Sequence, residues 1–128
     1  MNVDELMKWL SRFGELVTMG VRISKECNSL CYDLSLRYLT ILISLDVVNF
    51  CSYLNFESEA ACYDRVLDVC DEAVVRKIES IVEYGRKLSL GEYVELDLLE
   101  SVNNELPGIY LCLSRIVANE VSVFKPDQ

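Results

Sequence analysis

The chain has 128 residues and a mass of 14.6 kDa, which suits one domain with a single core. Its formal net charge is −9, from 21 acidic and 12 basic residues, and such a charge repels phosphate backbones and anionic lipid headgroups. Binding to nucleic acid or to a membrane surface by charge is therefore not expected. The hydrophobic fraction of 52%, with only two prolines and five glycines, favours helices and leaves apolar surface for a partner.

The N-terminal third is predicted to form two amphipathic helices. Apolar residues recur at helical spacing over Leu6–Val17, behind two acidic residues that suit a helix N-terminus. We expect this first helix to run to about Thr18 and to end at Gly20. A second helix then follows over Val21–Tyr38 and joins the next segment through a bend.

The segment Leu39–Leu54 is apolar on almost every side, which is typical of a central helix in a bundle. A buried strand is the alternative, because the segment contains β-branched residues. The longest apolar run, Tyr38–Leu54, is about one helical turn short of crossing a bilayer, so no integral membrane segment is expected.

Helical patterns continue through the second half of the chain. Ser58 is a suitable N-cap for a short helix, and a further stripe runs over Val74–Val82. A mixed pattern fits a helix over Glu92–Asn103, and a break at 106–108 precedes a last helix from Ile109. The fold class predicted is all-α: one bundle of six to eight helices over residues 1–124, with a polar tail at 125–128.

The cysteines occupy mostly apolar positions of these helical patterns, and no secretory signal precedes them. We therefore expect buried free thiols in a reducing compartment. A metal site is not expected, because the chain has no histidine and no close C-x-x-C spacing. The cysteines concerned are Cys27, Cys31, Cys51, Cys62, Cys70 and Cys112.

Catalysis is difficult to build from this composition. Without histidine, Ser-His and Cys-His nucleophile pairs are excluded, and the scattered glycines form no phosphate-binding loop. Carboxylate pairs such as Asp64 and Asp68 are more typical of a solvated helix face. We expect no enzymatic activity and no cofactor, which leaves recognition by shape.

The segment that indicates recognition is Tyr84-Gly85-Arg86, which lies at the end of a helical stripe. Because glycine has no Cβ, another helix or a ligand backbone can approach Gly85 closely. Arg86 offers a fork of donors to a partner's carboxylate. The alternative is that Gly85 caps the helix C-terminus and Arg86 is a favourable cation there.

The segment 81–90, IVEYGRKLSL, resembles the first homology region of the Bcl-2 family, an Asn-Trp-Gly-Arg segment preceded by an apolar residue. Gly85 and Arg86 match, while Glu83 and Tyr84 stand at the Asn and Trp positions. The resemblance implies a bundle like that of compact virus-encoded members, whose groove receives the BH3 helix of a pro-apoptotic protein. It also implies that Arg86 pairs with an Asp of that helix and that Gly85 allows its close approach.

The function expected from this resemblance is inhibition of host apoptosis by sequestering a BH3 helix in a hydrophobic groove. The protein would act in the host cytoplasm and reach mitochondria only through its partners. The groove residues expected are Tyr53, Tyr63, Val66, Leu67, Val82, Tyr84, Gly85, Arg86 and Leu88.

A second hypothesis is a self-associating adaptor, such as a homodimer, that inhibits signalling through a similar bundle without an open groove. An acidic secretion-type chaperone is a third. Those chaperones are mixed α/β proteins, and this chain shows no clean alternating strand.

Overall fold

The computed structural model describes residues 3–123, which form six α-helices and contain no strand within that range. The prediction of an all-α bundle with six to eight helices is confirmed for this part of the chain, and the predicted polar tail at 125–128 lies outside it. The helices are α1 (Val3–Glu26), α2 (Ser29–Tyr53), α3 (Glu59–Leu67), α4 (Glu72–Ser89), α5 (Leu96–Asn104) and α6 (Leu106–Val123).

The first helix is longer than predicted, since α1 continues through Thr18 and Gly20 to Glu26. Gly20 is buried, and a Cβ at this position would lie 2.6 Å from Asn103 Oδ1 and 3.2 Å from Leu106 Cδ1. The glycine therefore serves close packing against the corner between α5 and α6, and the predicted helix end at Gly20 is wrong.

The predicted second helix over Val21–Tyr38 is divided, because α1 runs to Glu26 and α2 begins only at Ser29. From Ser29 the helix α2 continues to Tyr53 as one element, without the predicted bend. It begins after Asn28, whose side chain accepts a hydrogen bond from the backbone N–H of Cys31 at 3.0 Å. It packs against α1, α3, α4 and α5, as expected for a central helix, and the alternative of a buried strand is wrong.

By length and composition α2 could also cross a membrane, because it is longer than the apolar run seen in the sequence. Half of its apolar window is buried inside the bundle, however, as in the core helix of a soluble protein. About half of the window is therefore already surrounded by protein.

The later helices follow the predicted order with two differences at their ends. Ser58 caps α3 as predicted, since its Oγ accepts from the N–H of Ala61 at 3.1 Å. The predicted helix from Glu92 begins only at Leu96, because Gly91 has a φ of +80° and ends the preceding turn. The predicted break at 106–108 is wrong, because only Glu105 separates α5 from α6, which begins at Leu106 and not at Ile109. Pro107 lies in the first turn of α6, where its missing N–H costs nothing.

The main core is centred on aromatic side chains from three helices. Trp9 of α1 packs against Phe13, with ring centroids 5.1 Å apart, and against Phe50 of α2 at 4.7 Å. Phe13 in turn stacks on Tyr110 of α6 at 6.3 Å. The indole of Trp9 donates a 2.8 Å hydrogen bond to the backbone oxygen of Asp46, so its polar atom is satisfied in the core.

A smaller apolar cluster lies at the other end of α2, where Leu36, Val94 and Leu99 are buried together. Arg37 ties the loop between α4 and α5 to this place by donating to the backbone oxygen of Val94 at 2.6 Å. Its guanidinium also lies 5.0 Å from the ring centroid of Tyr93. One α2 residue therefore holds the loop that connects α4 to α5.

The cysteines are paired, so the prediction of free thiols is wrong. Cys51, Cys62 and Cys112 are buried as predicted and Cys70 is partly buried, whereas Cys31 is exposed. The sequence pattern could not show which of these positions meet. One pair spans the break between α1 and α2, one links the end of α2 to α3, and one links the α3–α4 turn to α6. The pairs are Cys27–Cys31, Cys51–Cys62 and Cys70–Cys112, with Cα atoms 5.2, 5.6 and 5.7 Å apart.

Candidate functional site

Gly85 lies in the interior of α4, one turn before the helix ends at Ser89, and it is buried. The alternative in which Gly85 caps the helix is therefore wrong. A Cβ at Gly85 would overlap the side chain of Ser44 and would lie 3.2 Å from the backbone oxygen of Thr40. The helix that approaches this glycine closely is α2 of the same chain.

The contact forms the floor of a surface depression of about 140 Å³ between the two helices, here called the α2–α4 depression. It is smaller than the pockets of roughly 300–1,000 Å³ that bind small molecules, and it is open to solvent. Apolar side chains supply most of its walls, and Arg86 stands among them as the charged group. The lining residues are Ile41, Ser44, Leu45, Val48, Val82, Gly85, Arg86 and Ser89.

The guanidinium of Arg86 has an internal partner in Glu59, the first residue of α3, at 2.8 Å. The side chains of Arg86 and Glu59 are 60% and 44% exposed. Such an exposed pair contributes only about 0–1 kcal/mol to stability, because water screens the charges and both side chains lose freedom. Arg86 is therefore held in place weakly and could exchange this carboxylate for another.

Tyr63 of α3 lies next to this ion pair. Burial, with a smaller contribution from the carboxylates of Glu59 and Glu79 and against the opposing charge of Arg86, raises the pKa of its phenol to about 12. The hydroxyl therefore stays protonated at neutral pH and can donate a hydrogen bond. Tyr63 and Arg86 together place two donors on one side of the bundle.

The remaining predicted groove residues do not form one surface. Val82 lines the α2–α4 depression, whereas Tyr84 and Leu88 pack at the smaller apolar cluster around Leu36. Val66 is buried in the main core. Of the other two, Tyr53 is partly buried against the main core and Leu67 is 44% exposed on α3.

The predicted groove residues included only Tyr53 from α2 and missed the residues of this helix that form one wall of the depression, Ile41, Ser44, Leu45 and Val48. A signal was present, because apolar residues recur along α2 with steps of four, three, four and three. We call this row the α2 stripe. It consists of Leu34, Tyr38, Ile41, Leu45 and Val48.

The α2 stripe is exposed even though α2 is the central helix. Leu34, Tyr38 and Leu45 are each more than half exposed, as is Leu30 one turn before them. From residue 38 to residue 56 the sequence has one charged side chain, Asp46, and it is buried. A chain with 26% charged residues therefore presents an uncharged apolar face here, which is typical of the centre of a protein interface.

Within residues 3–123, no group of three or more histidine, cysteine, aspartate or glutamate side chains is arranged to hold a metal ion. Comparison with protein-family models, with curated proteins and with solved structures finds no match for this chain.

Proposed function

We propose that this protein captures an amphipathic helix of another protein at the α2–α4 depression, and that this helix is a BH3 helix. By its resemblance to the Bcl-2 family at Gly85 and Arg86, the protein would be a virus-encoded inhibitor of host apoptosis. It would act by sequestration in the host cytoplasm, without any chemical step.

The observation that supports this proposal most directly is the position of Arg86 at an apolar depression. Amphipathic helices bind by placing apolar side chains at i, i+3, i+4 and i+7 into such surfaces, while a polar group fixes their register. Leu45, Val48 and Val82 offer apolar contacts, and Arg86 offers the register contact.

The weak pair between Arg86 and Glu59 makes this contact available. An aspartate on the incoming helix would replace Glu59 as the partner of Arg86, and its charge-assisted hydrogen bonds would be better shielded from water beneath the bound helix. The helix would then be selected for an acidic residue as well as for its apolar face.

Titration of labelled BH3 peptides against the protein and its Arg86→Gln variant tests the proposal. Loss of the charge-assisted pair should weaken binding about tenfold or more. Arg76→Gln is a matched control, because Arg76 is an exposed residue of the same helix and pairs with Glu72 at 2.6 Å. It should leave peptide affinity unchanged.

A peptide with Asp→Asn at the conserved acidic position completes the design. It should bind wild type about as weakly as the parent peptide binds Arg86→Gln, and it should be insensitive to that substitution. The proposal fails if no BH3 peptide binds, or if binding is equally strong in wild type and in Arg86→Gln.

A second candidate function is that of a self-associating adaptor that inhibits signalling. The exposed α2 stripe favours it, because this face is apolar and uncharged beyond the limits of the small depression. An adaptor of this kind would not bind BH3 peptides, so the same titration separates the two candidates.

A further inference from the structure

We infer that two copies of this protein associate through the α2 stripe, with α2 of one copy packed along α2 of the other. This inference needs no ligand helix, but Ile41, Leu45 and Val48 belong both to the α2 stripe and to the α2–α4 depression, so a captured helix and a second copy would compete for them. It identifies the surface of self-association, which is a separate matter from the function proposed above.

The spacing of the α2 stripe indicates that its occupant is a helix. Residues Leu34, Tyr38, Ile41, Leu45 and Val48 repeat every 3.5 positions on average, which is the spacing of the contact seam between two supercoiled helices. In the bundle, α1, α3, α4 and α5 cover the other sides of α2. Across the α2–α4 depression α4 flanks Ile41, Leu45 and Val48, and within residues 3–123 the outer side of the seam stays exposed at Leu34, Tyr38 and Leu45.

The charge distribution favours a second copy as that helix. A different protein that binds an acidic protein is commonly selected through its own basic residues, which pair with acidic residues of the acidic protein. The α2 stripe presents no acidic residue for such pairing. Within α2 the charged residues beside it, Asp33 and Arg37, already neutralise each other at 2.6 Å. Two copies can therefore meet here without bringing like charges together, although each carries a formal charge of −9.

The available area suits a reversible dimer. At 1.5 Å per residue α2 is about 37 Å long, so a strip about 10 Å wide covers roughly 400 Å² on each copy. Exposed Tyr93, in the loop that Arg37 ties to α2, adds apolar surface beside Arg37. The area buried on the two copies together approaches the roughly 1,000 Å² that distinguishes specific interfaces from nonspecific contacts.

Sedimentation velocity over a wide range of protein concentrations tests this inference. The mass should rise from the monomer value of 14.6 kDa toward twice that value as concentration increases. Leu34→Asp and Leu45→Asp should each shift the midpoint to at least tenfold higher concentration, since each puts an unpaired charge into the seam.

The matched control is Leu111→Asp on α6, because Leu111 and Leu45 are both 56% exposed. This variant should dimerise like wild type. All three substituted side chains are exposed, so circular dichroism should show unchanged helix content. Leu34 is not part of the α2–α4 depression, so Leu34→Asp should weaken dimerisation at least tenfold without weakening the binding of a BH3 peptide.

Three results would overturn the inference: a monomer at every concentration, a dimer that persists in both α2 variants, or a dimer lost equally in Leu111→Asp. Flotation with phosphatidylcholine vesicles tests the other possible occupant of the α2 stripe, which is a lipid surface. A monomer that binds these vesicles through Leu34 and Leu45 would assign the α2 stripe to lipid and would also refute the dimer.

Discussion

Gly85 of α4 lies directly against Ser44 of α2, at a point where the two helices touch because no Cβ intervenes. Ser44 is buried, and its hydroxyl donates to the backbone oxygen of Ile41 at 2.7 Å, which fixes its side chain in the contact. This crossing forms the floor of the α2–α4 depression. The position of Arg86 next to α2 therefore depends on the absence of a side chain one residue earlier.

Substitution of Gly85 by Ala should destabilise the protein by about 2 kcal/mol. The new Cβ overlaps the Ser44 side chain, and overpacking of this kind costs about 1–3 kcal/mol, of which better helix propensity recovers only part. The midpoint of urea unfolding measures the change.

Gly108→Ala in α6 is the control, because no atom lies within 4 Å of its added Cβ. This variant should be as stable as wild type or more stable by up to about 1 kcal/mol. A stabilised Gly85→Ala would contradict the close crossing.

In protein purified without a reductant, all three cysteine pairs should be detectable as disulfides, and the long-range pair should contribute most to stability. Cys70–Cys112 closes a separation of 42 residues and Cys51–Cys62 one of 11. Loss of chain entropy in the unfolded state predicts about 4 kcal/mol for the first pair and about 3 kcal/mol for the second. Paired Cys→Ala variants, compared by urea unfolding, should follow this order.

Intact mass after rapid alkylation gives the pairing directly. Protein with all pairs formed takes up no alkyl group until it is reduced, and then takes up six, one for each cysteine. Disulfides persist in oxidising compartments and are reduced in the cytoplasm. The same measurement on protein taken from cells therefore tests the proposed cytoplasmic location, and full pairing there would contradict it.

The sequence predicted the existence of the helices better than their ends, and the glycines explain why. A glycine inside a helical pattern can end the helix or can allow another helix to approach, and only the tertiary structure distinguishes these uses. Gly20 and Gly85 both serve close packing inside helices, against Asn103 and Ser44 respectively. Gly91 is the one of these three that ends a helical segment, with a positive φ.

The candidate site could be predicted only in part for a similar reason. Local pattern identified Gly85 as a point of close approach, but the approaching helix is 41 residues earlier in the chain, and sequence spacing carries no information about such a pair. Glu59, the internal partner of Arg86, is 27 residues away and was equally unpredictable. The pairing of the cysteines depends on the same kind of long-range proximity.

Replacement of Asp46 by Asn should stabilise the protein at neutral pH by about 1 kcal/mol. Asp46 Oδ2 is buried without a hydrogen-bond partner, and burial raises the pKa of this carboxyl above its ordinary value of 3.8. Arg12, 3.7 Å from Oδ1, lowers the pKa but does not cancel the effect of burial. The folded state therefore holds the proton to higher pH than the unfolded state does.

The sign of the pH dependence follows from this difference. The contribution of Asp46 to stability is fully present below pH 3.8 and is lost as pH rises through the folded-state pKa. Thermal unfolding of wild type and Asp46→Asn over a pH series should show the variant's advantage at pH 7 shrinking as pH falls toward 3.8. A variant that is less stable at pH 7 would show that the pair with Arg12 outweighs the burial of the charge.

Removal of the Arg37 side chain should release the loop between α4 and α5. Arg37 donates to the backbone oxygen of Val94, stacks on Tyr93 and pairs with Asp33, so Arg37→Ala removes three contacts at one point. Hydrogen exchange of residues 90–95 should become faster, and stability should fall by about 1–3 kcal/mol. Arg37→Lys should behave similarly, because an ammonium group cannot reproduce the planar fork that serves all three partners.

The control is Arg76→Ala, which removes an arginine whose described partner is Glu72 of the same helix. It should leave hydrogen exchange in the loop unchanged. If exchange in residues 90–95 is equally slow in Arg37→Ala, the burial of Val94 and Leu99 against Leu36 is sufficient to hold the loop without Arg37.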